Sequence, residues 1–189
     1  MTIERRLFSD VEVRAEGDAP PVIAGYAAVF DALSVDLGGF REKIAPGAFA
    51  KSLGGDVRAL FDHDSSFILG RTKARTLTLT EDQRGLRVEI TPPNTAHARH
   101  VVELLKRGDV DQMSFGFRTR ADHWENRDGE TIRTLLDVDL IEVSVVAFPA
   151  YPQTEAAMRS LDVWKASTAP APVAPTFNIH RARASLAAL

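Results

Sequence analysis

Short apolar runs bounded by turn residues recur along most of this chain, and that succession constrains its fold more than any single motif. Val22-Ile23-Ala24-Gly25-Tyr26-Ala27-Ala28-Val29-Phe30 reads as a buried strand, with Gly25 marking a bulge or a close backbone approach. Val57-Arg58-Ala59-Leu60-Phe61 reads as the next. Arg75 to Thr80 and Leu86 to Ile90 flank the turn Glu81-Asp82-Gln83-Arg84-Gly85, a β-hairpin pattern. A second hairpin spans Phe117 to Leu136 through Asn126-Arg127-Asp128-Gly129, and Val138 to Phe148 is the last strong strand. Helical signals are fewer. After Pro92-Pro93, Asn94 or Thr95 can cap a helix whose stripe is Val101, Val102, Leu104 and Leu105, and Lys106-Arg107-Gly108 ends it. Shorter helices are expected from Ala48 to Leu53, stopped by Gly54-Gly55, and from Ala156 to Trp164. Many strands with few helices predict a mainly β fold with peripheral α-helices, closed or nearly closed into a β-barrel.

The length, 189 residues, suits one well-cored domain and a tail. Ala166 to Pro175 (Ala-Ser-Thr-Ala-Pro-Ala-Pro-Val-Ala-Pro) has a linker composition, so a folded domain is expected over 1–165 and a flexible Ala/Pro-rich tail over 166–189. A formal net charge of −3, with no basic run longer than the pair Arg5-Arg6, argues against nucleic acid as a direct partner. The absence of cysteine excludes disulfides and cysteine catalysis and fits a reducing cytoplasm. The first eight residues lack the apolar segment of a signal peptide, and no apolar run is long enough to span a bilayer. A soluble, intracellular protein without a membrane partner is expected.

Chemistry enters at Met113-Ser114-Phe115-Gly116-Phe117. Strand periodicity turns Met113, Phe115 and Phe117 to a core and leaves Ser114 and Gly116 on the other face. Gly116 then lets another backbone approach the Ser114 hydroxyl, an arrangement that suits a nucleophile in acyl transfer. If the strand from Val57 continues, Val57, Ala59, Phe61 and His63 share a face, and His63 lies at the edge of the core, where it can accept a proton near neutral pH. A histidine satisfied by Asp62 or Asp64 in a turn fits the same residues. Glu142, inside Asp139-Leu140-Ile141-Glu142-Val143-Ser144-Val145-Val146, needs a partner for its charge and shares a face with Ser144. Either His63 or an arginine such as Arg118 or Arg133 can supply that partner. Arg71, in Leu69-Gly70-Arg71-Thr72, can bind a carboxylate, polarise a carbonyl or simply decorate a hairpin. His97 and His100, one helical turn apart, with Glu103 have a metal-ligand spacing, although such a trio on a charged helix face is usually just solvated. No motif calls for a cofactor.

The order of these segments resembles the prohead (capsid maturation) proteases of tailed phages, a serine peptidase family related to the herpesvirus assemblins. The matching stretches are Gly25-Tyr26-Ala27-Ala28-Val29-Phe30, Ile44-Ala45-Pro46-Gly47-Ala48-Phe49, His63-Asp64 with Leu69-Gly70-Arg71-Thr72, and Leu104-Leu105-Lys106-Arg107-Gly108-Asp109-Val110. They continue through Met113-Ser114-Phe115-Gly116-Phe117 and Leu140-Ile141-Glu142-Val143-Ser144-Val145-Val146 with Pro149-Ala150-Tyr151. The resemblance implies a herpes-protease-like barrel over 1–165 and carries the family histidine onto His63 and the family serine onto Ser114. Assemblins use a second histidine where this chain has Glu142. The implied function is a serine endopeptidase that processes major capsid and scaffold proteins within assembling proheads in the host cytoplasm, with no cofactor. The assemblin relation points to a homodimer. The competing class is a non-catalytic capsid assembly or scaffold protein of the same fold. Because assemblins cleave Ala-Ser bonds, the resemblance makes Ala166-Ser167 and Ala184-Ser185 candidate sites of self-cleavage, with a passive disordered terminus as the alternative.

Overall fold

The structure, a computed structural model, describes residues 3–8, 11–14, 20–148 and 155–168. Among these, the fold is mainly β: β1 (Glu4–Phe8), β2 (Val11–Arg14), β3 (Val22–Val29), β4 (Arg41–Ile44), β5 (Arg58–Phe61), β6 (Asp64–Arg71), β7 (Leu77–Glu81), β8 (Gly85–Ile90), β9 (Gln112–Arg127) and β10 (Glu130–Val146). Two helices accompany them, α1 (Ala96–Arg107) between β8 and β9, and α2 (Glu155–Thr168) after β10. The strands form two sheets. One, six-stranded, runs β1-β9-β10-β5-β6 with β4 also paired to β10, and the other, four-stranded, runs β2-β3-β8-β7. The larger sheet curls as a half-barrel; of the closed or nearly closed barrel expected from the sequence, the described strands show the mainly β character and this curl but not a closed barrel.

The larger sheet is organised by one long antiparallel hairpin. The Ser114 strand and the first strand of the expected second hairpin are a single strand, β9, and the partner β10 runs on without a break to Val146. Strands of this length curve, and the register slips between Leu135 and Asp137, Asp137 and Val138, and Leu140 and Glu142 provide the bends. β4 and β5 both pair parallel to β10, β4 opposite Ile132 to Leu135 and β5 further along opposite Glu142 to Val145. The apolar face of β9 (Met113, Phe115, Phe117) is completely buried, and it packs in one core with Ile23, Val88 and Ile90 of the smaller sheet and Val101 of α1.

Helix α1 forms as its signals predict. Thr95 is the N-cap, its hydroxyl accepting from the Ala98 N–H at 3.2 Å, and Gly108 closes the helix at φ 77°. The helix expected over Ala48 to Leu53 is instead a run of tight turns, with Ala50 bonded to Gly47 and Ser52 to Phe49. Gly47 sits at φ 87°, and a six-residue segment behind it offers too few hydrogen bonds to offset nucleation. The N-terminal strands were not anticipated from the sequence: β1 opens on three consecutive charges, Glu4-Arg5-Arg6, and β2 carries charges at alternate positions, Glu12 and Arg14. Helix α2 runs to Thr168, past the expected boundary at 165, and holds Ala166-Ser167 in its last turn, where Ser167 Oγ donates to the Trp164 carbonyl at 2.7 Å. The expected tail from 169 onward, with Ala184-Ser185, lies outside the described residues, as do Pro149 to Tyr151.

Candidate active site

His63 and Glu142, 79 positions apart, meet because β5 lies parallel against β10. Arg58 is opposite Glu142 and Phe61 opposite Val145. The chain then reverses in a two-residue turn, Asp62-His63, between the paired Phe61 and Asp64. Both turn residues are left-handed, Asp62 at φ 50° and His63 at φ 60°. That is the pattern of a type I′ hairpin turn, whose second position glycine usually fills. A histidine there carries strain of roughly 1–2 kcal/mol. Asp62 fastens the turn to the end of β10: its N–H donates to the Val145 carbonyl at 2.9 Å, and its Oδ1 accepts from the Ala147 N–H at 2.8 Å. The continuous strand expected through His63 is thus replaced by a turn, and the imidazole folds back along β10.

There, His63 Nδ1 lies 2.7 Å from Glu142 Oε1. The second oxygen, Oε2, accepts from the Ser144 hydroxyl at 2.5 Å. The glutamate side chain is 9% exposed and that of His63 12%, so their contact is largely screened from water. Arg5 of β1 stands beyond, its Nε 4.0 Å from Oε1 with the side chain half exposed. The alternative arginine partners are engaged elsewhere: Arg118 with Asp139, and Arg133 with Glu4, Glu42 and Asp122. Neither Asp62 nor Asp64 holds the imidazole, since Asp64 Oδ1 accepts from the Ser66 N–H.

Ser114 lies across from Ser144 in the β9–β10 ladder, and Gly116 across from Glu142. Paired residues of an antiparallel ladder share a face, so the serine, the glycine and the glutamate stand together as strand periodicity required. The space left by Gly116 is used by a side chain rather than by a backbone: a Cβ there would lie 2.4 Å from Glu142 Oε1. Ser114 is completely buried. Its Oγ and the His63 Nε2 are both shielded from solvent without a hydrogen-bond partner, and no hydrogen bond joins them.

The other candidates take different partners. Arg71 forms a two-pronged pair with Asp56 (2.7 and 2.6 Å), which holds that carboxyl down to about 2. His97 stacks on Phe67 with ring centroids 3.9 Å apart, and its edge contact is with Phe61. Among the described residues no group of three or more His, Asp or Glu side chains gathers as a metal site. Two site residues had no role in the sequence analysis. Ser144 was legible as sharing the face of Glu142, whereas Arg5 is brought in only by the pairing of β1 with β9, which sets it opposite Gly116.

A family model described as the caudovirus prohead serine protease matches residues 9–167 of this chain. No curated protein and no solved structure matches it.

Proposed function

Because the chain belongs to the caudovirus prohead serine protease family, we propose that it is a serine endopeptidase that trims capsid and scaffold proteins inside assembling proheads in the host cytoplasm. Ser114 is the nucleophile in this reading, His63 the general base and Glu142 the residue that orients and supports the base. One observation carries it above the others. Glu142 takes Nδ1 of His63 at 2.7 Å and leaves Nε2 unpaired, the division of the two ring nitrogens that a serine–histidine–carboxylate triad needs. With the proton on Nδ1, Nε2 is the basic nitrogen. It takes the Ser114 proton as the hydroxyl attacks the scissile carbonyl, and later returns it to the leaving amine. Glu142 stabilises the imidazolium formed between those steps. In this reading the hydrogen bond between Ser114 and His63 forms with substrate in place, as catalytic hydrogen bonds tighten in the Michaelis complex. Chain order does not enter the argument, since a triad is defined by roles and geometry. The family's capsid-related substrates suit an enzyme that reads extended peptide. The domain would then run from the N-terminus through the end of α2 at Thr168 rather than stop at 165, with the segment beyond it as its appendage.

The test is intact mass of the cognate capsid protein after co-expression with wild type or with Ser114→Ala. Cleavage is expected to fall by about 10⁴-fold or more in the variant, because triad members act as a unit. Undiminished cleavage by a folded Ser114→Ala protein would remove the protease reading. Absence of cleavage by wild type in the presence of its capsid protein would instead favour a non-catalytic assembly role.

A further inference from the structure

Glu142 has two oxygens, and only one of them is used by His63. The other is taken by a side chain that nothing in the proposed chemistry requires. Ser144 Oγ donates to Oε2 at 2.5 Å, and Ser144 is completely buried. It is set near the C-terminal end of β10 directly across from Ser114, so its hydroxyl points to the same face as the proposed nucleophile. A buried hydroxyl that served packing alone would be as well replaced by a methyl group; this one spends its proton on a largely buried carboxylate, a charge-assisted bond.

We propose that Ser144 is a positioning residue of the site, acting on His63 through Glu142. The inference rests on the protease reading above and deepens it. A carboxylate anchored by one oxygen can rotate about its last side-chain torsion, which is broad and weakly restrained. Ser144 at Oε2 and the space over Gly116 leave Oε1 one position, and that position faces His63 Nδ1. The bond also has an electrostatic consequence. A donor on Oε2 draws negative charge from Oε1, so it moderates how strongly the carboxylate favours imidazolium. Removing it leaves a carboxylate that is looser and also more attractive to the protonated ring. The other charges near the pair are Arg5 on β1, Asp62 and Asp64 in and beside the turn, and Arg58 on β5, whose guanidinium is turned 3.6 Å from Asp56. None of these is altered by a change at Ser144.

The experiment compares wild type, Ser144→Ala and Ser144→Thr. It uses steady-state cleavage of a capsid-derived peptide and titration of the His63 ring by NMR in the absence of substrate. Ser144→Ala is expected to lower kcat about tenfold, the scale on which an outer hydrogen-bonding partner acts, with KM little changed. The His63 midpoint and the acid limb of kcat/KM should both move to higher pH. Ser144→Thr keeps the hydroxyl and should keep the wild-type midpoint. Should Ser144→Ala lose its cooperative melt, Ser144→Cys carries the same comparison, since it keeps the volume and offers only a weak S–H donor. An unmoved midpoint overturns the proposal, whether kcat is unchanged or reduced, because a purely structural serine would lower activity without touching the ring. The titration needs no turnover, so it tests Ser144 even in a protein whose activity survives Ser114→Ala, the result that would remove the protease reading itself.

Discussion

At Gly116 the absence of a side chain is what lets the site exist. The Glu142 carboxylate occupies the volume over its Cα, with Oε1 only 2.4 Å from where a Cβ would stand. Alanine there forces the carboxylate to move, because the backbone of β9 is held on both sides by β1 and β10. Gly116→Ala should therefore break the 2.7 Å contact with His63 and lower activity on the order of 10²-fold, while the apolar face of β9 stays packed. Peptide cleavage with a parallel thermal melt checks this: a folded, fully active Gly116→Ala would mean that Glu142 has room the structure does not give it. His63 carries the complementary signature. A turn position that favours glycine is filled by a strained histidine, and strain kept in a fold gathers where function needs the side chain.

β1 is the least expected element, and its two faces do different things. Arg5 stands on the face of Gly116, near Glu142. Glu4 and Arg6 turn the other way, to the face of Phe115 and Phe117, and enter a buried ion network with Glu42 of β4 and Arg133 of β10. Arg133 is 1% exposed and also reaches Asp122 and Thr119, so it is the hub. Burial pushes the Glu4 carboxyl up, but its hydrogen bonds and charge contacts with Arg133 and Arg6 outweigh this and hold it below the usual carboxylate range. Arg133→Met removes one of the two cations that hold the buried carboxylates of Glu4 and Glu42, leaving Arg6 alone against both, and should cost about 3 kcal/mol, measured by urea unfolding. The pH dependence follows from the lowered Glu4 value. As pH falls past the ordinary carboxylate range, the unfolded chain takes up the proton before the folded one does. The contribution of Glu4 is thus complete at neutral pH and is lost as pH falls through its lowered folded value. Melting temperature against pH should decline over that acid window in wild type and less steeply in Arg133→Met. Equal slopes would show that the network does not set the Glu4 ionisation.

On the scale of the whole molecule, the two sheets share one core, and the candidate site stands on the face of the larger sheet opposite that core. Helix α2 is fixed by a separate small cluster, Leu161 with Leu37 and Phe40, and by Trp164 stacked on Trp124 at 5.7 Å. No described helix is long and apolar enough to cross a membrane. The bond Ala166-Ser167 is helical here, whereas a protease cleft takes extended backbone. Incubated wild-type enzyme should show no product ending at Ala166 by mass spectrometry. Trp164→Ala, which loosens the end of α2, should expose the bond and yield a Ser114-dependent fragment. Cleavage at Ala166 in wild type at the same rate as in Trp164→Ala would show that α2 gives this bond no protection.

What the sequence determined by itself was local: alternation in Met113 to Phe117 and in Leu140 to Val146, the cap and stop of α1, and the turn glycines that end strands. Those features depend on residues a few positions apart, and side-chain period and backbone preference are enough to read them. Residue types and their order were also enough to bring His63, Ser114 and Glu142 forward as candidates. The tertiary structure alone decided which of several partners each charge takes. Arg133 stood open as a partner for Glu142, but the pairing of β1, β4 and β10 gathers Glu4 and Glu42 around it. The parallel β5–β10 register gives Glu142 to His63 instead. Such choices are made between residues up to 129 positions apart, as with Glu4 and Arg133. In the separate strands every carboxylate is equally suited to every arginine, and strand order and register select among them.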